Sequence, residues 1–345
     1  MRGNPVTRRK SATDPPPESV ARCAWRWTRT ALVIGMLVVL VVLAKPRRLA
    51  ETLLSANGWW VLSATPWAFA AVFLDSLRLH LLMRPQGYRR GWWAVVRTNL
   101  VVNFVSLFLP GTIGGGAVAW YRLARPDGLH AQTFTALTLN ILLKFIAVCA
   151  AGAAALALDA GGSARYHTLI APLTACALAP LGALYLLLLT GAPGRINDWI
   201  GKRQRIPRKF RESLGKVLES VEVYRPASRH IAAALSASVA RILVSAPAAL
   251  FCLYAFGVEN IGYVRLLWIM CAVEAAGMMP FTLSGWGLTQ VTFVGLLAAF
   301  GIPPDVALAA NLAGWVALLP MLLTGAGVML WENLHQPADP TGKSA

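Results

Sequence analysis

The chain is short of acid and short of charge altogether. Fifteen aspartates and glutamates stand against 32 lysines and arginines, and charged residues make up 14% of the sequence, where soluble domains carry roughly 25%. The few acids are scattered. No acidic cluster is placed to bind a metal at an interface, as a transferase acting on a polyprenyl phosphate would need, and no two membrane-face carboxylates lie close enough in sequence for acid and base work. HExxH, GxSxG and a Walker lysine are absent. The five histidines are dispersed at 80, 130, 167, 230 and 335. The five cysteines, Cys23, Cys149, Cys176, Cys252 and Cys271, show no CxxC or metal-ligand spacing. Four of them sit in apolar runs and read as small core residues. The expectation is a protein that is not an enzyme and holds no cofactor and no metal.

What the chain has in excess is apolar surface: 57% hydrophobic residues and a mean hydropathy of +0.56. This is a membrane composition. The net charge of +17 would point to nucleic acid only on a basic face of a soluble fold. Here the charges fall between apolar spans, where they set orientation, and no nucleic-acid partner is expected.

Residues 1–28 form a basic, Pro-rich tail with too little apolar surface to fold alone. The apolar run 31–44 follows a long polar prelude and lacks a small-residue cleavage site, so it reads as an uncleaved first span rather than a signal peptide. Further spans are expected at 59–83, 133–158, 168–190, 230–256 and 305–331, each near the ~20 residues needed to cross the hydrocarbon. Two more apolar regions are interrupted. Region 92–123 is broken at 110–116 and region 264–300 at 280–287 (PFTLSGWG). In the first, NLVVNFVSLFLPGTIGGGAVAWYRLAR, the helix is expected to break at Leu109-Pro110-Gly111, cross the cluster Gly114, Gly115 and Gly116, and resume. Such breaks are tolerated in a membrane only where they line a polar cavity or are buried in protein, so the first is a candidate functional site.

If both breaks are re-entrant hairpins and the N-terminus is cytoplasmic, segments 1–30, 78–97, 121–130, 191–229 and the C-terminal tail are cytoplasmic. They hold about 25 of the 32 basic residues against about 5 on the other side, in the sense of the positive-inside rule. Both termini are therefore expected in the cytoplasm of a cell inner-membrane protein. Counting each hairpin as two full spans leaves the same sides, so charge does not separate six spans from ten. The short arms favour re-entrance.

The expected fold is an all-α polytopic membrane protein with about six full transmembrane helices and two broken re-entrant hairpins. Residues 29–334 form one domain, followed by a tail at 335–345. The unit span, hairpin, span recurs at 59–158 and 230–331 in opposite directions, an inverted repeat of the kind that brackets a midplane transport site. Between the copies, the connector 191–229 has an apolar stripe (Phe210, Leu214, Val217, Leu218, Val221) and a basic start. Such a helix can lie on anionic lipid or act only as a charged connector.

The first break, with Asn103 ahead of LPG-x-x-GG and a following Tyr-x-Leu, resembles a signature of the lysylphosphatidylglycerol synthase transmembrane-region family. The second, PFTLSGWGLTQVTFVGLLAAFGIPPDVALAANL, resembles that family's other motif. The resemblance covers about 31–334 and implies the lipid-flipping portion of aminoacyl-phosphatidylglycerol synthases, without their soluble aminoacyl-transferase domain. Departures accompany the match. Gly116 and Ala119 stand where the family usually has Asp and Arg, and Thr289 and Gln290 where Arg and Glu are common.

Three charges fall deep in the expected hydrocarbon: Lys144, Arg241 and Glu274. At that depth an ionised side chain costs ~2.5–3.5 kcal/mol on insertion scales, so each should face the interior and have a partner. Two readings stand: counter-ions for a lipid phosphate, with Glu274 as partner or proton carrier, or a structural ion pair. Asp75 and Arg78 read as a local helix pair. Arg122 and Arg125 can collect a phosphate or anchor topology. Asn99, Asn103 and Asn140 suit interhelical hydrogen bonds or a ligand, and the glycines backbone-anion contacts or close packing. The residues expected to bind substrate are Asn103, Pro110, Gly111, Gly114, Gly115, Arg122, Lys144, Arg241, Glu274, Pro280, Gly285, Gly287 and Gln290. The expected function is movement of an anionic phospholipid or lipid-linked phosphate between leaflets. A polyprenyl-phosphate transferase and a non-catalytic partner of an envelope-lipid complex are the alternatives.

Overall fold

Helix boundaries follow local chemistry. In the computed structural model, which describes residues 51–107, 112–159, 164–189, 219–278 and 287–335, Asn57 caps helix α1 (Gly58–Met83) by accepting from the Trp59 N–H at 3.1 Å. Helix α2 (Trp92–Val105) starts after Gly91, and α3 (Thr112–Ala124) returns beside it. Next come α4 (His130–Leu158), a short 3-10 turn (Ala164–Leu169) and α5 (Ile170–Leu189). The second half holds α6 (Ser228–Tyr254), α7 (Tyr263–Gly277), α8 (Leu288–Ala298) and α9 (Pro304–His335). No strand occurs among the described residues.

Four of these helices, α1, α4, α6 and α9, are long and apolar enough to cross a membrane. Their outward faces carry exposed large apolar side chains, among them Ile141 on α4 and Leu323 and Leu330 on α9. In water such rows would be a liability; against lipid they are solvated. The multi-pass membrane character read from composition therefore holds. The expected first span at 31–44, the basic tail, most of the connector 191–229 and the tail after 335 lie outside the described residues.

The arms of the two interrupted regions are short: 14 and 13 residues for α2 and α3, 15 and 11 for α7 and α8. At 1.5 Å per residue they reach about 16–22 Å, less than the ~30 Å hydrocarbon. One expectation is corrected here. The glycines of the first interruption are not part of the break, because α3 already begins at Thr112 and Gly114, Gly115 and Gly116 are helical. The reason is packing: Gly115 is buried against Ser106 of α2, where a Cβ would collide with the hydroxyl. Small residues here let two arms touch.

Helices α1 and α6 form the most extensive pairing. Around them the contacts of the first half are matched in the second. α2 packs on α9 as α7 packs on α4, α1 on α9 as α6 on α4, and α3 on α4 as α8 on α9. At the α2–α9 crossing, Gly325 lies so close to α2 that a Cβ would strike the Leu100 carbonyl. The main core gathers Leu253, Leu266, Ile269, Phe293, Leu297 and Ala307; a second cluster gathers Leu79, Leu82, Leu143, Ile146 and Tyr224. Tyr224, fully buried, donates to the Leu82 carbonyl at 2.7 Å and ties the segment before α6 to the end of α1.

Arg84, Arg89, Arg90, Arg97, Arg122, Arg125, Arg225 and Arg229 all belong to the end of the bundle where α1 and α3 finish and α2 and α6 begin. Arg165 and Arg265 belong to the other end. There the buried Asp159 receives Arg265 in a two-pronged contact, both at 3.0 Å, and the Trp268 indole at 3.0 Å.

Candidate functional site

Apolar helices bury charges only in company, and the deep charges of this chain are gathered into one network. Arg241 of α6 grips both carboxylate oxygens of Glu274 on α7 through Nη1. Lys144 Nζ of α4 reaches the same carboxylate at 2.9 Å. On its other side Arg241 Nε lies 3.4 Å from Asp75 of α1, which pairs with Arg78 at 2.9 Å. Arg78 in turn donates through Nε to Asn140 Oδ1 at 2.6 Å. Asn140 and Lys144 are one turn apart on α4, so the chain of contacts closes into a ring through α1, α6, α7 and α4. Three cations and two carboxylates leave the ring one positive charge in excess.

The three intramembrane charges expected from sequence are thus brought together, with Glu274 as the partner of both cations. Asp75 and Arg78 do form the expected local pair, but sequence reading missed that Asp75 joins Arg241 and that Arg78, only 3% exposed, joins Asn140. The available signal was the spacing of Asn140 and Lys144, four residues apart and so on one face of α4.

Beside the ring lies a cavity of about 670 Å³, bounded by α1, α2, α3, α6, α7, α8 and α9. Its charged lining residues are Asp75 and Arg241; Asn103, Ser106, Ser245 and Asn311 add polar groups, and most of the rest is small and apolar, including Ala68, Ala248, Ala249 and Gly314. Asn311 Oδ1 is buried without a hydrogen-bond partner among the described residues. Both interrupted regions contribute: Asn103, Gly115 and Gly116 from the first, Met270 and Phe293 from the second. Lys144 and Glu274 stand behind Arg241 and do not line the cavity.

The other expected substrate residues divide. Asn103 faces the cavity while its amide donates to the Asn99 carbonyl at 2.9 Å, and Asn99 donates to Ser76 at 2.9 Å. Gly114 lies in the first turn of α3 outside the cavity wall. Gln290 is also outside the wall, buried, and occupied locally: its Oε1 accepts from the Gly287 N–H at 2.7 Å and from Thr289 at 3.0 Å. That contact caps α8. Gly287, with φ +85°, makes the left-handed turn into α8. Pro110, Gly111, Pro280 and Gly285 lie outside the described residues.

A family model described as lysylphosphatidylglycerol synthase TM region matches residues 27–325. The chain belongs to this family. The match covers nearly the whole chain, both interrupted regions and every residue of the ring. As a member of the lysylphosphatidylglycerol synthase TM region family it is an integral membrane protein related to lipid handling. No curated protein matches it.

Arg122 belongs elsewhere. It pairs with Glu332 of α9 at the basic end of the bundle, in a separate pocket of about 470 Å³. Arg90, Arg97 and Arg125 also line it, with Tyr88, Tyr121, Trp331 and His335. Arg125 sits 5.3 Å over the Tyr121 ring, and Arg90 lies 3.4 Å from Asp127. Burial pushes the Tyr88 phenol above its ordinary value, against the opposing pull of Arg90, so it stays protonated at neutral pH.

Proposed function

We propose that this protein moves an anionic phospholipid, or a lipid-linked phosphate, between the leaflets of the plasma membrane. The observation that carries the reading is the central cavity, where small apolar walls meet Arg241 and Asp75 beside a ring with one unbalanced positive charge. An amphiphile has that pattern in reverse: an anionic head and apolar chains. A guanidinium already aligned by two carboxylates can bind a phosphate without reorganising. Asp75 also supplies a carboxylate to the cavity that holds Gly116, a position where the family resemblance leads one to expect an aspartate.

The mechanism is alternating exposure of the cavity. Its supports are the arms too short to cross, the matched contacts of the two halves, and the contribution of both interrupted regions to one cavity. We read these as two re-entrant hairpins in an inverted repeat, one opening to each side. The arginine-rich end then faces the cytoplasm, with both termini. No ATP site enters this account; the lipid's own gradient or an ion gradient drives net movement.

The test is translocation by the purified full-length protein in liposomes, comparing headgroup-labelled phosphatidylglycerol, phosphatidylcholine and a short polyprenyl phosphate. Protein-dependent movement of the anionic species is expected, with loss in Arg241→Gln and in Ala249→Trp, which fills the cavity but leaves the ring intact. Absence of movement from folded protein under an imposed gradient would overturn the reading.

A further inference from the structure

We propose that the basic pocket between the ends of α2, α3 and α9 is a binding site for a phosphate-bearing anion at the level of the lipid headgroups, distinct from the central cavity. Four arginines line it against the single carboxylate of Glu332. Topology alone asks only that arginines be somewhere on this side of the membrane. It does not ask that residues from a loop, two short arms and a long helix converge on one concave site. A volume of about 470 Å³ falls in the usual range for small-ligand sites.

The arginines differ in how committed they are. Arg122 is held by Glu332, and its Nε is buried without a hydrogen-bond partner among the described residues. Arg90 makes only a long, half-exposed contact with Asp127. Arg125 stacks on Tyr121 and donates through Nη1 to its hydroxyl. Arg97, exposed, makes no ion pair or hydrogen bond among the described residues. Arg97 and the loosely held Arg90 are thus available to an incoming phosphate, Arg125 is held in place beside them by Tyr121, and Arg122 turns to it as the anion competes with Glu332. Bidentate contact with phosphate oxygens is what the guanidinium fork favours. Tyr88 as a neutral phenol is a further donor, and Trp331 and Tyr121 are the amphipathic rings expected at the membrane–water boundary. The same four positive charges repel a headgroup carrying an amine. The site therefore selects net-anionic phosphates over zwitterionic ones and over aminoacylated, cationic phosphatidylglycerols.

The ligand phosphate comes from a lipid headgroup or from a free phosphate, and the experiment separates these. Thermal unfolding of the full-length protein in detergent is followed with added inorganic phosphate, short-chain phosphatidylglycerol or short-chain phosphatidylcholine. The same titrations are run on Ala249→Trp and on Ala249→Trp carrying Arg97→Gln/Arg125→Gln. Phosphatidylglycerol should raise the melting temperature of the wild-type protein and phosphatidylcholine should not. In the Ala249→Trp background, where the central cavity is filled, phosphatidylglycerol should still raise the melting temperature, and adding Arg97→Gln/Arg125→Gln to it should raise the phosphatidylglycerol needed at least tenfold, which separates this site from the central cavity. A matching rise with inorganic phosphate alone identifies a free-phosphate site; a rise with phosphatidylglycerol only identifies the headgroup. The proposal is overturned if the two arginine substitutions leave the Ala249→Trp response unchanged, or if phosphatidylcholine acts as strongly as phosphatidylglycerol. Either result leaves the central-cavity reading standing, because Arg97 and Arg125 are not part of it.

Discussion

Glu274 is the residue on which the buried charges depend. It is the shared partner of Arg241 and Lys144, so removing its charge strands two cations in a low-dielectric interior. Breaking a buried pair by one partner costs about 3–5 kcal/mol. Glu274→Gln should therefore lower the melting temperature of detergent-solubilised protein markedly, more than the joint replacement Lys144→Met/Glu274→Gln, which removes one charge of each sign. Equal melting of all three proteins would show that the ring does not bear on stability. Glycines give a second residue-scale contrast. A Cβ at Gly325 meets the Leu100 backbone carbonyl, which cannot yield without moving α2, whereas at Gly115 it meets the Ser106 hydroxyl, which can rotate away. Gly325→Ala should cost about 1–3 kcal/mol, the range for overpacking, and Gly115→Ala less, with Ser106→Ala restoring the remainder. The readout is folded yield and melting temperature. Sequence showed that Gly115 belonged to a special place but not which one: backbone contact with an anion and close packing need the same residue type.

At the scale of elements, the boundaries were legible because apolar runs end where Asn, Gly or Pro intervene. The helices α1, α2, α7 and α9 start within a residue of the expected position. The glycine cluster was the exception, since low helix propensity at three consecutive glycines is outweighed there, with Gly115 permitting the close contact between α2 and α3. Gln290 is a second case. Read from sequence as a neutral replacement for a charged site residue, it accepts through its side chain from the Gly287 N–H in the first turn of α8. Gln290→Ala should leave the Gly287 N–H buried and unpaired and fray α8 at a cost of about 1 kcal/mol. Faster amide exchange confined to the start of α8 would register this; an unchanged exchange rate there would count against the cap.

For the whole molecule, the division of arginines between the two ends fixes an expected orientation. In a background without native cysteines, a cysteine at Glu259 should react with an impermeant maleimide in intact cells. One at Arg89 should react only after permeabilisation. The reverse pattern would invert the topology and place the basic pocket outside.

The sequence by itself determined the solvent and the element menu of this protein. Mean hydropathy, run length and the punctuation at 110–116 and 280–287 decide that it is helical, membrane-embedded and twice interrupted, because those properties depend on local composition and on the thickness of a bilayer. It also singled out Lys144, Arg241 and Glu274, because a charge in an apolar run is costly wherever the run ends up. Tertiary structure alone decided the partnerships. Asp75 meets Arg241, and Arg122 meets Glu332, because the first depends on how α1 and α6 cross and the second on where α3 ends beside α9. Crossing geometry is set by side-chain volumes summed along two whole helices, at contacts such as Gly325 against Leu100, and no single stretch of sequence holds both sides of such a contact.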